Sequence, residues 1–363
     1  MNAFIPAALA FIVCYATLRW LLRSKLARTT LDQPNHRSLH TTPTPRIGGL
    51  GVVVGVLGGG AVTIIAANLL ENPPTPNLQI LLLLLALLSL LSGFCFIDDK
   101  RGLSAAVRLP VHLLVALLWV SCILNVSFLA PFFIKVGAGD TALHFLQSTI
   151  EHALAHPLLL ITLTFGLGWM MNLYNFMDGA NGLAGGMAVF GFSAYSTALY
   201  FSGQPALAAF ALAIAASALA FLCFNFDPAR IFLGDVGSIS LGFLAGALGL
   251  WGWQSAAWPA WFPLLVFSPF IADATITLFA RALRGEKVWQ AHRDHAYQRL
   301  IRMGWSHQRL ALSAYALMAA CAASALVLRV APSASVMAGI AFWILIYTAL
   351  LGTVMWRWHG LKL

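Results

Sequence analysis

Two adjacent acids open the chemistry of this chain. Asp98 and Asp99 stand in Phe-Ile-Asp-Asp-Lys-Arg-Gly, beside two adjacent cations. If the stretch is helical, neighbours diverge by about 100°, so the two carboxylates cannot reach one atom. One is therefore expected to serve a metal or a proton, the other a cation or a backbone donor. Asn172, Asn175 and Asp178 follow in Asn-Leu-Tyr-Asn-Phe-Met-Asp-Gly-Ala-Asn-Gly, spaced by three. On a helix they share a face over an arc of about 120°. Gly179, Gly182, Gly185 and Gly186 then let the main chain approach a ligand, which suits a phosphate or sugar pocket.

Asp235, in Phe-Leu-Gly-Asp-Val-Gly-Ser, has glycines near it that leave its carboxylate accessible to a hard cation. Magnesium usually takes one or two carboxylates together with substrate phosphates, so Asp178, Asp235 and one of the earlier pair supply enough acid. The stretch 281–307 carries Arg281, Arg284, Lys287, His292, Arg293, His295, Arg299 and Arg302 against only Glu286 and Asp294. Such a loop favours an anion. His292 and His295 lack a cysteine or a suitably spaced third histidine, so pyrophosphate binding is the better reading of the pair than zinc. The stretch from Asp32 to Gly49 holds Arg37, His40 and Arg46 among prolines that stiffen it, a clamp for a lipid phosphate.

The elements that position these residues must lie in a membrane. Of the chain's residues 60% are hydrophobic and 9% charged, and the mean hydropathy is +0.83; a soluble domain of this size exposes far more charge. A hydrocarbon core of roughly 30 Å takes about 20 helical residues to cross. Apolar runs of that order lie near 4–22, 47–69, 78–97, 108–128, 157–174, 183–202, 205–225, 237–254, 259–280, 308–330 and 334–356. The composition thus predicts an all-α polytopic membrane protein of about eleven transmembrane helices. The first run has no preceding basic residue and no clear cleavage site, so it is expected to be retained. A periplasmic N-terminus and cytoplasmic C-terminus put every Lys and Arg except Lys135 and Arg329 at cytoplasmic loops or helix ends.

On that topology most acids are cytoplasmic. Glu71, Asp140 and Glu151 fall outside, and Asp273 lies within the ninth span, where a mid-bilayer carboxylate costs about 2.5–3.5 kcal/mol and is functional by default. Residues 1–363 read as one multi-span domain. Its active site is built from cytoplasmic loops about 23–46, 98–108, 172–182, 226–236 and 281–307. The net charge of +9 reflects topology and anionic-lipid contact; no separate basic domain suggests nucleic acid. Cys14, Cys95, Cys122, Cys223 and Cys321 read as small packing residues, and the pairs Gly51/Gly55 and Gly242/Gly246 as close helix contacts. A secondary transporter for a lipid-linked or anionic solute is the competing class. It normally places ionisable groups near the midplane between repeats, whereas here the charge gathers at one face.

Taken together, the stretches resemble the polyprenyl-phosphate N-acetylhexosamine-1-phosphate transferases over nearly the whole chain, with five motifs in that superfamily's order. Pro34-Asn35-His36-Arg37-Ser38, Asn175-Phe176-Met177-Asp178-Gly179 and His292-Arg293-Asp294-His295-Ala296-Tyr297-Gln298-Arg299-Leu300 are most similar to the branch that initiates O-antigen. The resemblance implies a multi-pass enzyme of the bacterial inner membrane with its site facing the cytoplasm. Undecaprenyl phosphate would attack the β-phosphorus of a UDP-N-acetylsugar, with magnesium or alternatively manganese, giving lipid-pyrophosphoryl-sugar and UMP. It makes Asp98, Asp99 and Asp178 catalytic, one of the adjacent pair preparing the lipid phosphate. Asp235, with Asp178 and Asp98, becomes the metal set. Asn172, Asn175, Asn181, His292, Arg293, His295, Arg37, His40 and Arg46 become substrate-binding. The lipid bilayer is its other partner, no nucleic acid is expected, and a homodimer is compatible with it. Many members place an aspartate where this chain has Asn181; an amide brings no charge and cannot act as a base.

Overall fold

The computed structural model describes residues 3–34, 39–70, 76–124, 157–288, 290 and 292–360. In chain order its helices are α1 (Phe4–Arg23), α2 (Lys25–Thr29), α3 (Gly48–Leu70), α4 (Pro76–Arg101), α5 (Ala105–Leu124), α6 (Pro157–Phe176) and α7 (Leu183–Phe201). They continue as α8 (Pro205–Asn225), α9 (Gly234–Gln254), α10 (Trp261–Val266), α11 (Ser268–Leu283), α12 (Ala296–Arg302), α13 (His307–Leu328) and α14 (Ser333–Gly360). Two short strands, β1 (Leu31–Asp32) and β2 (Thr44–Pro45), pair antiparallel, Leu31 opposite Pro45 and Asp32 opposite Thr44.

Each of the eleven expected spans falls on helix, the fourth as far as residue 124. Among the described residues nine helices are long and apolar enough to cross a membrane. The chain is an all-α polytopic membrane protein. Side chains such as Ile5, Ile12, Phe165 and Leu345 are exposed on its flanks, as befits helices whose backbone bonds close internally and whose apolar side chains meet lipid. Two expected spans differ from a simple crossing helix. Glycine, serine, threonine and tyrosine dilute the hydropathy of α7, most of whose side chains are buried against protein. The ninth is broken into α10 and α11 at Phe267, just before Pro269, which has no N–H to give the preceding turn.

Helix α9 packs against α3, α4, α5, α6 and α7, while α8 packs against α1, α3 and α7. Small residues make the approach possible. A Cβ on Gly49 would run into the backbone of Gly237, and one on Gly242 would stand 2.7 Å from the Met170 carbonyl oxygen. Gly51 and Gly55 similarly abut α1 through Leu18 and Cys14. Hydroxyls tie the same seam: Ser92 of α4 meets Ser240 of α9 at 3.0 Å. The ends of α4 and α6 are thereby drawn to the start of α9. Cys14, Cys95 and Cys321 are buried and Cys122 half-buried, but Cys223 is exposed, unlike the packing role expected of all five.

Candidate active site

The start of α9 organises the site. Gly234 has φ +72°, in the left-handed region that favours glycine, and a Cβ there would stand 2.9 Å from the Arg46 carbonyl oxygen. The chain on either side is held by main-chain bonds: Phe232 N donates to Pro45 O at 2.8 Å, Gly48 N to Phe232 O at 2.8 Å, and Gly49 N to Leu233 O at 2.7 Å. The segment containing His40 and Arg46 is therefore fastened to the turn that carries Asp235.

Asp99, near the end of α4, faces the exposed N–H groups of that new helix. Its Oδ1 accepts from Asp235 N at 3.4 Å and its Oδ2 from Val236 N at 3.3 Å, a favourable place for a carboxylate. Arg46 Nη2 lies 3.0 Å from Asp99 Oδ1. Asp98 diverges from it, as helical geometry requires. It is buried, with Oδ1 accepting from Leu103 N at 2.7 Å and Oδ2 lying 3.5 Å from Arg108 Nη1. The same Arg108 nitrogen lies 3.4 Å from Asp235 Oδ2, so one guanidinium from α5 bridges two acids. Asn175 Nδ2 donates to Asp235 Oδ1 at 3.0 Å and to Ser238 Oγ at 2.9 Å.

A cavity of about 310 Å³ opens over this turn, lined among others by His40, Arg46, Asn175, Asp178, Asn181 and Asp235. Helix α6 ends at Phe176, so Asp178 projects from the following turn and not from the helical stripe the spacing suggested. Among the described residues its carboxylate has no hydrogen-bond or ion-pair partner. Enclosure by the protein, reinforced by Asp235 and Asp99 and opposed by Arg46, raises its pKa well above the ordinary carboxylate range.

Among the described residues no three His, Cys, Asp or Glu side chains converge as a metal cage. Magnesium does not need one, since substrate phosphates and water complete its shell. Asp178 and Asp235 fit that requirement, one unpartnered and both lining the cavity. Asp98 does not line it, and both of its oxygens are taken.

The turn after α6 is clamped from behind. Asn181 N donates to His307 Nδ1 at 3.2 Å, Asn181 Nδ2 to Asp227 Oδ1 at 2.8 Å, and Gly182 N to Asn225 Oδ1 at 2.8 Å. With Nδ1 accepting, the neutral ring of His307 carries its proton on Nε2, 3.3 Å from Leu39 O. His307 thus ties the first loop to the Asn181 turn.

The remaining expected residues lie elsewhere. Asn172 Nδ2 bonds back to Gly168 O at 2.8 Å within α6, away from the cavity lining. His292, Arg293 and His295 also do not line the cavity; Gln298 of that segment does. His295 is buried, 3.5 Å from Asp273 and stacked on Phe176. His292 Nδ1 accepts from Asp294 N at 3.3 Å. Burial, then the neighbouring His295 and Arg281, push its pKa down to about 4. Asp273 itself accepts from Ala296 N at 2.8 Å and Tyr297 N at 3.2 Å, capping α12. Much of the loop's positive charge is internally paired, Arg281 and Arg284 with Glu286 and Arg281 also with Asp294. Arg37, Glu71, Lys135, Asp140 and Glu151 lie outside the described residues.

Comparison with known proteins bears on this arrangement. The sequence model for glycosyl transferase family 4 matches residues 80–252, which include Asp98, Asp99, Asn175, Asp178 and Asp235. The chain resembles this family across just under half of its length. It is 29% identical over 332 residues, 90% of this chain and 86% of the relative, to a probable undecaprenyl-phosphate N-acetylglucosaminyl 1-phosphate transferase of Bacillus subtilis. It is 25% identical to a phospho-N-acetylmuramoyl-pentapeptide-transferase of Staphylococcus saprophyticus, over 85% of this chain and 92% of that one. It is 28% identical to a decaprenyl-phosphate N-acetylglucosaminephosphotransferase of Mycobacterium tuberculosis, over 81% and 74%.

Sequence reasoning passed over four residues of the site and its support: Arg108, Asp227, Gln298 and His307. Arg108 had a usable signal, a lone cation near the start of an apolar run. The other three looked like ordinary loop polarity, and only the fold brings them to the turn.

Proposed function

We propose that this protein transfers N-acetylhexosamine-1-phosphate from a UDP-N-acetylsugar to undecaprenyl phosphate at the cytoplasmic face of the bacterial inner membrane. The product initiates O-antigen or a related cell-surface polysaccharide. An oxygen of the lipid phosphate attacks the β-phosphorus, the new oxygen–phosphorus bond forms, and the bond to the α-phosphate oxygen breaks to release UMP. The relatives named above support this class of reaction.

One observation carries the reading: Arg46 lines two cavities at once. The first holds Asp178 and Asp235. The second, about 430 Å³, shares Asp32 and Arg46 with it and is lined by Lys100 and Asp99 beside apolar Leu31, Ile47, Leu50, Phe96 and Val236. A polar, acid-bearing cavity suits a nucleotide sugar with its cation; one that sets Arg46 and Lys100 beside five apolar side chains suits a lipid phosphate. Arg46 stands where the two phosphates would meet.

Asp178 and Asp235 would hold magnesium, which when bound spreads the negative charge that builds on the pyrophosphate. The chain's own groups do the rest. Asp99 orients Arg46, and Asp98 orients Arg108 beside Asp235, so both acids work through arginines as positioning groups. A phosphate oxygen is already nucleophilic at neutral pH, and this arrangement asks for alignment more than for a strong base. Asp273, the one acid that would suit a transporter, is occupied in capping α12.

Purified protein with magnesium and a panel of UDP-N-acetylsugars should release UMP only when undecaprenyl phosphate is present. Equal release without the lipid would sink the proposal. In a Gram-negative strain lacking its initiating transferase, the gene should restore O-antigen; lipid product without restoration would confine the reading to the transfer step.

A further inference from the structure

Asn181 lines the cavity and Asp227 does not, yet the two are joined by the 2.8 Å bond from Asn181 Nδ2 to Asp227 Oδ1. A carboxylate only accepts, so this bond settles which end of the amide is which. With one Nδ2 hydrogen taken by Asp227 and the backbone N–H taken by His307, the side-chain acceptor Asn181 has left for a ligand is Oδ1. We propose that Asp227 is a positioning residue for the substrate cavity. It holds Asn181 so that a neutral acceptor meets the nucleotide sugar, and it keeps the unit's negative charge behind the cavity wall.

The placement has an electrostatic reason. Asp32, Asp178 and Asp235 already put three carboxylates on this cavity, and a further one on its lining would add to the repulsion of the anionic pyrophosphate. Asp227 is one layer removed. It belongs to the same segment as Asn225, whose side chain accepts from Gly182 N, so this one stretch grips the turn at two consecutive residues.

An aspartate at 181 would face the Asp227 carboxylate across the distance of a hydrogen bond, a repulsive contact. Exchanging the two residue types restores the bond with donor and acceptor reversed, but it moves the negative charge to position 181 on the cavity lining.

The inference rests on the proposed function, and its test separates the two. Asp227→Asn, Asn181→Asp and the double exchange Asn181→Asp/Asp227→Asn are prepared as full-length protein. Each is assayed for KM and kcat with UDP-N-acetylglucosamine and undecaprenyl phosphate, and by thermal unfolding without substrate. Asp227→Asn lets the amide turn over, so KM for the nucleotide sugar should rise about tenfold, the worth of one charge-assisted hydrogen bond, with kcat nearly unchanged. Asn181→Asp should lower the unfolding temperature and raise KM; the double exchange should recover most of the loss in unfolding temperature, while KM stays raised by the carboxylate now on the cavity lining. Additive effects on the unfolding temperature in the double exchange, or an unchanged KM in Asp227→Asn, would overturn the proposal. If Asn181→Asp does not fold, the KM of Asp227→Asn decides alone. A wild-type protein inactive with every UDP-N-acetylsugar would defeat the proposed function, whereas the unfolding measurements report the coupling of 181 and 227 without turnover.

Discussion

Replacing Arg108 by Met should make the protein more sensitive to magnesium, although an active-site cation has been lost. Arg108 Nη1 stands 3.4 Å from Asp235 Oδ2, a candidate metal ligand, and 3.5 Å from Asp98 Oδ2. Whether it must move aside for the metal or stays and repels it, its charge opposes metal binding. A unit-charge pair at this separation is worth about 1 kcal/mol in water and about 5 kcal/mol at an effective dielectric constant of about 20. The Arg108 side chain is 37% exposed, so solvent screening puts the effect near the lower end, about 1–2 kcal/mol. The magnesium concentration giving half-maximal UMP release should therefore fall by about 5- to 30-fold. Arg108→Lys keeps the charge and should stay near wild type. The Met variant should lose stability, because buried Asp98 retains only the Leu103 N–H. Titration of activity with magnesium, checked by manganese binding without substrate, gives the answer. A half-saturation point that rises in Arg108→Met, or does not move, would refute this account of the Asp235 environment.

Asp178→Asn and Asp235→Asn should each reduce turnover by at least about 100-fold and weaken magnesium dependence; full activity in both, measured as UMP release, would remove them from the site. Asp273→Ala should cost about 1–2 kcal/mol through loss of the α12 cap, seen as a lowered unfolding temperature, and loosen the loop that brings Gln298 to the cavity. His292 has its pKa lowered by burial from 6.5 to about 4, so between those values the unfolded chain binds the extra proton. Its contribution should thus erode stability as pH falls from about 6.5 toward 4 and vanish above that range. His292→Gln should flatten this part of the unfolding profile; an unaltered slope would contradict it.

Much of the fold was legible because lipid forces the backbone into helices and the helices into apolar runs. Span positions followed from Leu-, Ile- and Val-rich stretches, and departures arose where tertiary burial replaced lipid. Helix α7 needs no high hydropathy because protein surrounds it, and Pro269 breaks the ninth span in a way that hydropathy does not see. At the site, the spacing of Asn172, Asn175 and Asp178 suggested one stripe, but α6 ends before Asp178 and that end was invisible in an apolar pattern. Asn181 stands out in the sequence as an uncharged residue where many members of the resembled superfamily have an aspartate. Its side-chain partner, Asp227, lies 46 positions away, and only the fold brings the two together. Likewise Asp273 drew attention as a charge in an apolar span, when its partners are the first amides of a short helix 23 and 24 residues on.

The central claim is that a lipid phosphate displaces UMP at the β-phosphorus, and isotopic labelling tests it most directly. UDP-N-acetylsugar labelled at the β-phosphorus, incubated with the protein, magnesium and undecaprenyl phosphate, should deliver its label to the lipid fraction. Label at the α-phosphorus should leave as UMP. Label from the β-position in UDP or free phosphate, with none in lipid, would contradict the account.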